Sequence, residues 1–385
     1  MENSKKDNTK KIAIIICVAL FAVCLGMLAG MAVANSKAQK TVYVEKGEGH
    51  YEESGNIVPT DKQIKIQVPA KKIKYEMLDS HLHYLDFIQQ SDGFDALTKA
   101  MDLSGVKDAI VFGMPMAKQW DDTMENAPTY YLDNDSRCYY YPATDYILAE
   151  ELLAQPKEVQ DRFYPFICGV NTNDRYAAEH IRQLLEAYPD FWCGIGEIMS
   201  RHDDLTALTY GEAPHVNSKT FKAIFDLGAE YDLPVLVHHN ITGQSRNDVI
   251  YLDEMKEALA HNRDCKIIWA HMGLSRRVNV ENLTEIMDEM LADNDNLYVD
   301  ISWVVFDDYY LEGDIDRVKD PERLNKLVNI VNKYPDRILI GTDKVGHWET
   351  YPKEILKYYI LLDRLSPEVA QKICRDNALS LIRKK

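Results

Sequence analysis

Short apolar runs alternate with longer amphipathic segments along most of this 385-residue chain. Runs rich in β-branched and aromatic residues predict strands, and apolar positions three or four residues apart predict helices. The predicted strands lie near residues 75–83, 106–113, 163–171, 192–198, 234–239, 266–271, 297–302 and 338–343. The predicted helices lie near residues 92–102, 145–160, 174–188, 218–231, 250–262, 281–293, 319–333, 352–363 and 368–383. Eight repeats of strand and helix indicate an α/β chain folded as a (β/α)8 barrel, the TIM barrel.

A doubly wound open sheet is the alternative fold for the same alternation. Nucleotide-binding members of that class carry a glycine-rich motif directly after the first strand. Neither G-x-G-x-x-G nor G-x-x-x-x-G-K-[ST] follows the first predicted strand here. The barrel is therefore favoured, and it places function at the carboxyl ends of its strands.

The amino-terminal region differs from the rest of the chain in composition. Four lysines within residues 1–11 precede an uncharged stretch of 23 residues, 12–34, which is long enough to cross a bilayer. We therefore expect a transmembrane anchor, with residues 1–11 in the cytoplasm and the remainder outside it. A cleaved signal peptide is the alternative, because the A-V-A tripeptide ending at Ala34 fits a cleavage site. Cleavage would leave a secreted or periplasmic protein instead of a membrane-anchored one.

Residues 35–72 are rich in Lys, Glu, Gly, Ser and Gln and show little periodicity. That composition is typical of a polar tether, so we expect the folded domain at residues 73–385. The domain contains five cysteines and no C-x-x-C pair. Two of them, Cys168 and Cys193, fall within predicted strands, which favours buried thiols, although one disulfide is compatible with the count.

Net charge limits the class of partner. Residues 73–385 contain 33 Lys and Arg and 54 Asp and Glu, a formal net charge of -21. Nucleic acid is an unfavourable partner for such a surface, because binding phosphates requires basic side chains. A small-molecule substrate is expected instead, and the sequence predicts no particular oligomeric state.

Residue types that bind metals recur at the ends of the predicted strands. They are His81, His83, Glu197, His238, His271 and Asp343. Because strand ends converge at one mouth of a barrel, this placement predicts a metal centre there. His81 and His83 are two residues apart, so one strand can present both imidazoles on the same face.

Other interpretations exist for each of these residues. An H-x-H pair is common at surfaces, and a single histidine at a strand end is often a hydrogen-bonded core residue. Glu197 and Asp343 are also compatible with a salt bridge across the barrel mouth. Strand alternation allows only one of His238 and His239 to face the mouth, and the residues alone do not decide which.

The chain from about residue 75 to 383 resembles the amidohydrolase superfamily, in its amidohydrolase-related branch, with a ligand set like that of TatD-like enzymes. The matching segments are L-D-S-H-L-H at 78–83, G-I-G-E-I at 194–198, L-P-V-L-V-H at 233–238, I-I-W-A-H-M-G at 267–273, I-L-I-G-T-D at 338–343 and I-C-R-D-N-A-L-S-L-I at 373–382. Their occurrence in this order is specific for the superfamily but not for a substrate.

The resemblance implies roles for individual residues. His81 and His83 would bind the more buried metal together with Asp343, and His238 would be a ligand in preference to His239. His271 would bind a second metal or act on the substrate. Glu197 resembles the carboxylate that bridges two metals in TatD-like hydrolases, which favours two metal ions over one.

The expected function is metal-dependent hydrolysis of an amide, lactone, ester or phosphoester, with Asp343 and His271 as catalytic residues. Zinc is the expected divalent metal, with manganese, iron and nickel as alternatives. A one-metal decarboxylase and a TatD-like nuclease are alternative enzymes, and a non-catalytic scaffold is a third reading. Trp303, Lys344 and His347 are candidate substrate contacts, although Lys344 and His347 also fit solvated loop positions. The aromatic insertion at 115–144 fits a lid or a packing segment.

Overall fold

The computed structural model describes residues 39–45, 63–202, 204–243, 248–276, 280–313 and 315–382. Its strands, in chain order, are β1 (Gln39–Glu45), β2 (Gln63–Pro69), β3 (Met77–His83), β4 (Val106–Phe112), β5 (Met116–Lys118), β6 (Cys138–Tyr140), β7 (Phe163–Ile167), β8 (Gly194–Met199), β9 (Val235–His238), β10 (Ile267–Trp269), β11 (Leu297–Asp300), β12 (Leu311–Glu312), β13 (Ile315–Val318), β14 (Ile338–Leu339) and β15 (Lys344–Val345).

The central sheet contains nine of these strands in the order β14-β11-β10-β9-β8-β7-β4-β3-β15, and every neighbouring pair is parallel. β14 and β15 are two short pieces of one eighth strand, at either end of that order. β14 pairs with β11 and β15 pairs with β3, so the sheet closes on itself. The predicted eight-stranded parallel barrel is confirmed.

Helices follow the barrel strands. They are α1 (Phe94–Ser104), α2 (Ala143–Leu153), α3 (Lys157–Gln160), α4 (Ala177–Ala187), α5 (Leu205–Leu208), α6 (Lys219–Glu230), α7 (Leu252–His261), α8 (Leu283–Asp293), α9 (Pro321–Lys333), α10 (Tyr351–Leu356), α11 (Tyr359–Leu362), α12 (Pro367–Gln371) and α13 (Asn377–Leu381). A 3₁₀ turn spans Ala270–Gly273, and π-helical turns span Val305–Tyr310 and Lys372–Asp376. The helix predicted at 352–363 is divided into α10 and α11, and the one predicted at 368–383 contains a π-helical turn.

Helix α9 shows why these segments are helical. The Asp320 side chain accepts hydrogen bonds from the backbone N–H groups of Glu322 and Arg323, which fixes the first turn, and proline follows Asp320 directly. Leu324, Leu327 and Val331 are buried at helical spacing, so one stripe of the helix packs on the barrel.

The closing helix seals one end of the barrel. Ala378 and Leu381 of α13 pack with Leu78 and Leu339 in the cluster that fills the barrel interior. The Asn377 Nδ2 donates 2.8 Å hydrogen bonds to the carbonyl oxygens of Pro335 and Ile338, at the amino end of β14. With the amino ends of the strands covered in this way, the carboxyl ends are the open mouth.

Two strands lie where the sequence predicted a polar tether. β1 and β2 form an antiparallel pair, and Ile64 and Ile66 of β2 are buried in the main core. The backbone N–H of Gln67 donates to the carbonyl of Glu349, which attaches β2 to the segment before α10. The tether prediction is therefore wrong for residues 39–45 and 63–69, and the domain begins before residue 73. The period-two alternation at Ile64 and Ile66 is the strand signal that the composition of residues 35–72 obscured.

The proposed membrane anchor at 12–34 lies outside the described residues, as do residues 1–11. Among the helices that the structure describes, none is both long and apolar enough to span a bilayer. The anchor and the location that it implies stay predictions.

The described cysteines agree with the expectation of buried thiols. Cys138, Cys168, Cys193, Cys265 and Cys374 are all free and buried.

The insertion at 115–144 contains a short hairpin at the barrel mouth. β5 and β6 pair antiparallel, and the loop between them carries Tyr130 and Tyr131. Phe87 packs against both tyrosines, with ring centroids 5.6 and 5.0 Å away. This segment covers one side of the open mouth.

Candidate metal centre

The structure brings the six predicted ligands together at the carboxyl ends of the barrel strands. They are His81 and His83 at the end of β3, Glu197 in β8, His238 at the end of β9, His271 after β10 and Asp343 between β14 and β15. Five of the side chains are buried, and that of Asp343 is 13% exposed.

Glu197 lies at the centre of the cluster, and its two carboxylate oxygens face different histidines. Oε2 lies 3.6 Å from Nε2 of His81 and 3.3 Å from Nε2 of His83. Oε1 lies 3.1 Å from Nδ1 of His238 and 3.4 Å from Nε2 of His271. One carboxylate thus spans two pairs of imidazole nitrogens.

Asp343 faces the first of these pairs more closely. Its Oδ1 lies 3.3 Å from Nε2 of His81 and 3.3 Å from Nε2 of His83. Its Oδ2 lies 3.9 Å from Nε2 of His271. The carboxylates of Glu197 and Asp343 therefore both lie close to the Nε2 atoms of the two β3 histidines.

The other ring nitrogens of the β3 histidines face acceptors. Nδ1 of His81 lies 2.6 Å from Oδ2 of Asp300, and Nδ1 of His83 lies 2.8 Å from the carbonyl oxygen of Gly113. Each Nδ1 must carry the proton to make these hydrogen bonds, so each neutral ring directs the Nε2 lone pair at the carboxylates.

The same argument applies to the second pair. Ser302 Oγ donates to Asp300 and therefore accepts from Nδ1 of His271, which lies 2.8 Å away. His238 Nε2 lies 3.1 Å from Oδ1 of Asn240, whose Nδ2 donates to Ser275. His271 thus presents Nε2 to Glu197, and His238 presents Nδ1.

Four imidazole lone pairs consequently face carboxylate oxygens at 3.1 to 3.9 Å. Two acceptors do not attract each other, so a buried arrangement of this kind requires a cation between them, either protons or metal ions. His81 Nε2 is buried, and no atom of the described residues forms a hydrogen bond with it. The residues therefore fit divalent metal ions, which bind to imidazole nitrogen and carboxylate oxygen.

The electrostatics of the cluster agree with a cation site. Burial alone raises the pKa of Glu197, but His81, His238 and His271 outweigh it and hold that pKa well below its ordinary value. Burial lowers the pKa of His81, but the charges of Glu197, Asp343 and Asp300 raise it by more. The net effect is a pKa well above the ordinary value. The carboxylates thus stay ionised, and the positive charge that they attract sits on or between the histidines.

Two glycines allow the strands to approach this closely. A Cβ atom at Gly341 would lie 2.6 Å from Cβ of His81 and 2.7 Å from its backbone nitrogen. Gly196, with φ of 130°, precedes Glu197, and a Cβ there would lie 2.4 Å from the carbonyl oxygen of Leu236. Any side chain at either position would push a ligand-bearing segment away from its neighbour.

The structure separates His238 from His239. Nδ1 of His239 lies 3.0 Å from Ser200 Oγ, and Nε2 lies 3.0 Å from the carbonyl oxygen of Tyr251. Burial lowers the pKa of His239 to about 4. His239 is therefore a neutral, hydrogen-bonded core residue, and His238 faces the cluster.

A family model described as Amidohydrolase matches residues 78–384 of the chain. The chain belongs to the amidohydrolase family. The resemblance carried by the six sequence segments is confirmed. The protein is accordingly a metal-dependent enzyme of this superfamily that acts on a small molecule.

Several solved structures are similar to the chain at low sequence identity. An uncharacterised TIM-barrel protein from Bordetella bronchiseptica is 15% identical, with a TM-score of 0.50 over 79% of this chain and 97% of that one. A 2,6-dihydroxybenzoate decarboxylase from Rhizobium is 15% identical over 80% and 98%, with a TM-score of 0.46. A dihydroorotase from Campylobacter jejuni is 17% identical over 79% and 82%, with a TM-score of 0.47. At this identity the likeness to the Bordetella protein shows the fold alone, and no curated protein matches the sequence significantly.

A cavity of about 200 Å³ opens over the candidate metal ligands of this amidohydrolase. Its apolar walls are formed by Phe87, Met114, Tyr130, Tyr131, Met199, Leu205, Trp303 and Val345. Pockets for drug-sized ligands measure about 300 to 1,000 Å³, so this one suits a smaller molecule.

The three candidate substrate contacts differ in position. Trp303 and Lys344 line the cavity, and the Trp303 ring lies edge-on to His271 with centroids 5.1 Å apart. His347 is about half exposed and instead forms ion pairs with Asp86 at 3.2 Å and Asp92 at 3.4 Å. Those carboxylates raise the pKa of His347 to about 9, which indicates a structural role for it.

His202 is a cavity residue that the sequence did not single out. It follows β8, and its ring stacks on His238 with centroids 4.4 Å apart. The backbone N–H of Leu205 donates to Nδ1 of His202, so the neutral ring carries its proton on Nε2. Burial lowers the pKa of His202 well below its ordinary value, with the neighbouring His238 adding to the effect. The ring is therefore an uncharged imidazole beside the candidate ligands.

Asp300 is a second missed residue. It ends β11 and is fully buried, with Oδ2 bonded to both His81 Nδ1 and Ser302 Oγ. Its position at a strand end is the same signal that identified the six ligands, so the sequence contained the information. The sequence does not show whether a carboxylate at a strand end faces the site directly or, like Asp300, holds one of the candidate ligands by a hydrogen bond.

Proposed function

We propose that the protein is a hydrolase whose site holds two divalent metal ions bridged by Glu197. The supporting observation is the division of its carboxylate, with Oε2 toward His81 and His83 and Oε1 toward His238 and His271. If Glu197 bound a single ion through Oε2, the histidine pair beside Oε1 would have no ion to bind.

Each ion would have its own ligands. The first would be held by His81 and His83 through Nε2, by Glu197 Oε2 and by Asp343. The second would be held by Glu197 Oε1, by His238 through Nδ1 and by His271 through Nε2. Zinc suits sets of three or four imidazole and carboxylate ligands, and manganese, iron and nickel are the alternatives.

Metal ions in such sites lower the pKa of a water molecule and polarise the oxygen of the attacked carbonyl or phosphoryl group. Asp343 would accept the proton of that water, because it is the partly exposed carboxylate and it lines the cavity. His271, held through Ser302, keeps its position at the boundary between the cavity and the ligands. The substrate would be an amide, lactone, ester or phosphoester of a small molecule.

The alternatives explain less of the geometry. A one-metal decarboxylase would use His81, His83 and Asp343, and it would leave the second face of Glu197 directed at two imidazoles for no catalytic purpose. A nuclease would need basic side chains for the phosphate backbone, whereas residues 73–385 have a net charge of -21.

Four hydrolytic probes test the reaction class: p-nitrophenyl acetate, p-nitroacetanilide, dihydrocoumarin and bis(p-nitrophenyl) phosphate. We expect the zinc-loaded chain to hydrolyse at least one of them, and we expect chelation and Asp343→Asn each to abolish that activity. Carbon dioxide release from 2,6-dihydroxybenzoate, without hydrolysis of any probe, would support the decarboxylase and contradict the proposal. If Asp343→Asn is inactive but still binds zinc, the variant has lost a proton acceptor. If it no longer binds zinc, it has lost the metal site.

We also propose that the enzyme works outside the cytoplasm, attached through residues 12–34 or released after cleavage. The support is the length of the uncharged stretch and the lysines before it. Sequencing the amino terminus of the mature protein from membranes should give Met1 for an anchor or a start near Asn35 for cleavage. Recovery of the whole protein from the cytosolic fraction, starting at Met1, would contradict both.

A further inference from the structure

Lys344 is an unusual cation in the cavity wall. It directly follows Asp343, is partly buried and lines the cavity above the metal ligands. Its Nζ donates a 2.8 Å hydrogen bond to Oγ1 of Thr350. An ammonium group has three N–H donors, so this neutral hydroxyl leaves most of its hydrogen-bonding capacity unused. Glu354, Glu349 and Asp92 act on its charge from a distance, without an ion pair.

Other cations that are partly or fully buried are matched by acceptors: Lys118 donates to the carbonyl oxygens of Asn134 and Ser136, and three more have carboxylate partners. Arg201 pairs with Glu254 at 2.7 Å, Arg276 pairs with Asp204 at 2.5 Å, and Lys357 pairs with Glu354 at 3.0 Å. Within the part of the chain that the structure describes, no Asp or Glu oxygen lies within 4.0 Å of Lys344 Nζ. Keeping a charge partly out of water without a counter-ion costs free energy, so the position of Lys344 requires an explanation.

The surroundings of Lys344 indicate what would pair with it. Tyr130, Tyr131, Trp303 and Phe87 form an aromatic wall around the same cavity. Such a wall accepts an apolar body by burying its surface, whereas an ammonium group binds an anion. The combination suits one molecule that carries both.

We propose that the substrate of this site is a small carboxylic acid with an apolar body, whose carboxylate binds to Lys344 while its scissile group meets the metal centre. The inference rests on the proposed hydrolase function for the location of the scissile group. Lys344 would thus determine specificity for anionic over neutral substrates.

Binding, instead of turnover, is the direct test. Isothermal titration of the zinc-loaded full-length chain would compare 3-phenylpropionate with its neutral methyl ketone, 4-phenylbutan-2-one. We expect wild type to prefer the carboxylate by about tenfold or more, the worth of one charge-assisted hydrogen bond. Lys344→Met should remove this preference and Lys344→Arg should retain it.

Thr350→Ala is the matched control, because it removes the hydroxyl partner and leaves the ammonium group in place. It should keep the preference for the carboxylate, and the zinc content of every variant shows whether the site is intact. An equal preference for the carboxylate in wild type and Lys344→Met would show that the carboxylate binds to the metals, and it would overturn the proposal. Equal affinity of wild type for 3-phenylpropionate and 4-phenylbutan-2-one would overturn it as well. A single zinc ion per chain would contradict the two-metal hydrolase without changing this binding comparison.

Discussion

The Asp300 Oδ2 atom lies 2.6 Å from Nδ1 of His81 and also accepts a 2.8 Å hydrogen bond from Ser302 Oγ. Through Ser302 the same carboxylate orients His271, on the other side of Glu197. One buried side chain therefore sets the tautomer and direction of one histidine on each side of Glu197 in the candidate metal centre.

Replacement of Asp300 should weaken both halves. Asp300→Asn keeps the size of the side chain but removes the charge that holds His81 Nδ1–H, and we expect zinc affinity to fall by about 10- to 100-fold. Competition with a chromogenic chelator measures the change. Asp108→Asn is the control, since Asp108 pairs with Arg375 away from the ligands. An unchanged affinity in Asp300→Asn would show that the hydrogen bond has no part in metal binding.

His347 gives a pH dependence with a defined sign. Asp86 and Asp92 raise its pKa in the folded protein from 6.5 to about 9, so its protonated form is stabilised by folding. That contribution is complete below pH 6.5 and is lost as the pH rises through about 9. We therefore expect His347→Asn to be less stable than wild type near neutrality, with the difference shrinking in more alkaline buffers.

Urea unfolding of wild type and His347→Asn at about pH 6 and about pH 10 would measure this difference, because the pH effects on all other groups are common to both proteins. A difference that is the same at both values would contradict the ion pairs with Asp86 and Asp92.

Gly341 should tolerate no side chain. A methyl group there would lie 2.6 Å from Cβ of His81, so Gly341→Ala should cost about 1 to 3 kcal/mol of unfolding free energy and also reduce zinc binding. Gly211→Ala is a useful comparison, because its nearest neighbour is 3.7 Å away and only its backbone conformation is strained. Reduced zinc binding in Gly341→Ala but not in Gly211→Ala is expected; normal zinc binding in both would contradict the close approach.

The barrel was predictable from the sequence because each strand is a compact apolar run and each helix has an apolar stripe. The clustering of the six candidate ligands was predictable because they end those runs. Details set by the backbone were not: His271 lies in a 3₁₀ turn with φ of 53°, and Asp343 has φ of 52° between two short strands. Both residues adopt left-handed conformations that side-chain type does not specify.

The choice between His238 and His239 shows the same limit. The pattern of residues left both open, and only the family resemblance selected His238. In the structure His239 is turned away from the cluster by hydrogen bonds to Ser200 and Tyr251, which the local sequence pattern does not reveal. The strand that contains Ile64 and Ile66 was missed for a different reason, because the polar composition of residues 35–72 obscured its local alternation.

Metal stoichiometry tests the central claim, the bridging role of Glu197, most directly. Zinc bound per chain would be measured by mass spectrometry after loading and desalting, for wild type, Glu197→Ala and the adjacent pair His238→Ala and His239→Ala. We predict two ions in wild type and His239→Ala, and one in Glu197→Ala and His238→Ala. A single ion in wild type, unchanged in Glu197→Ala, would contradict the two-metal site.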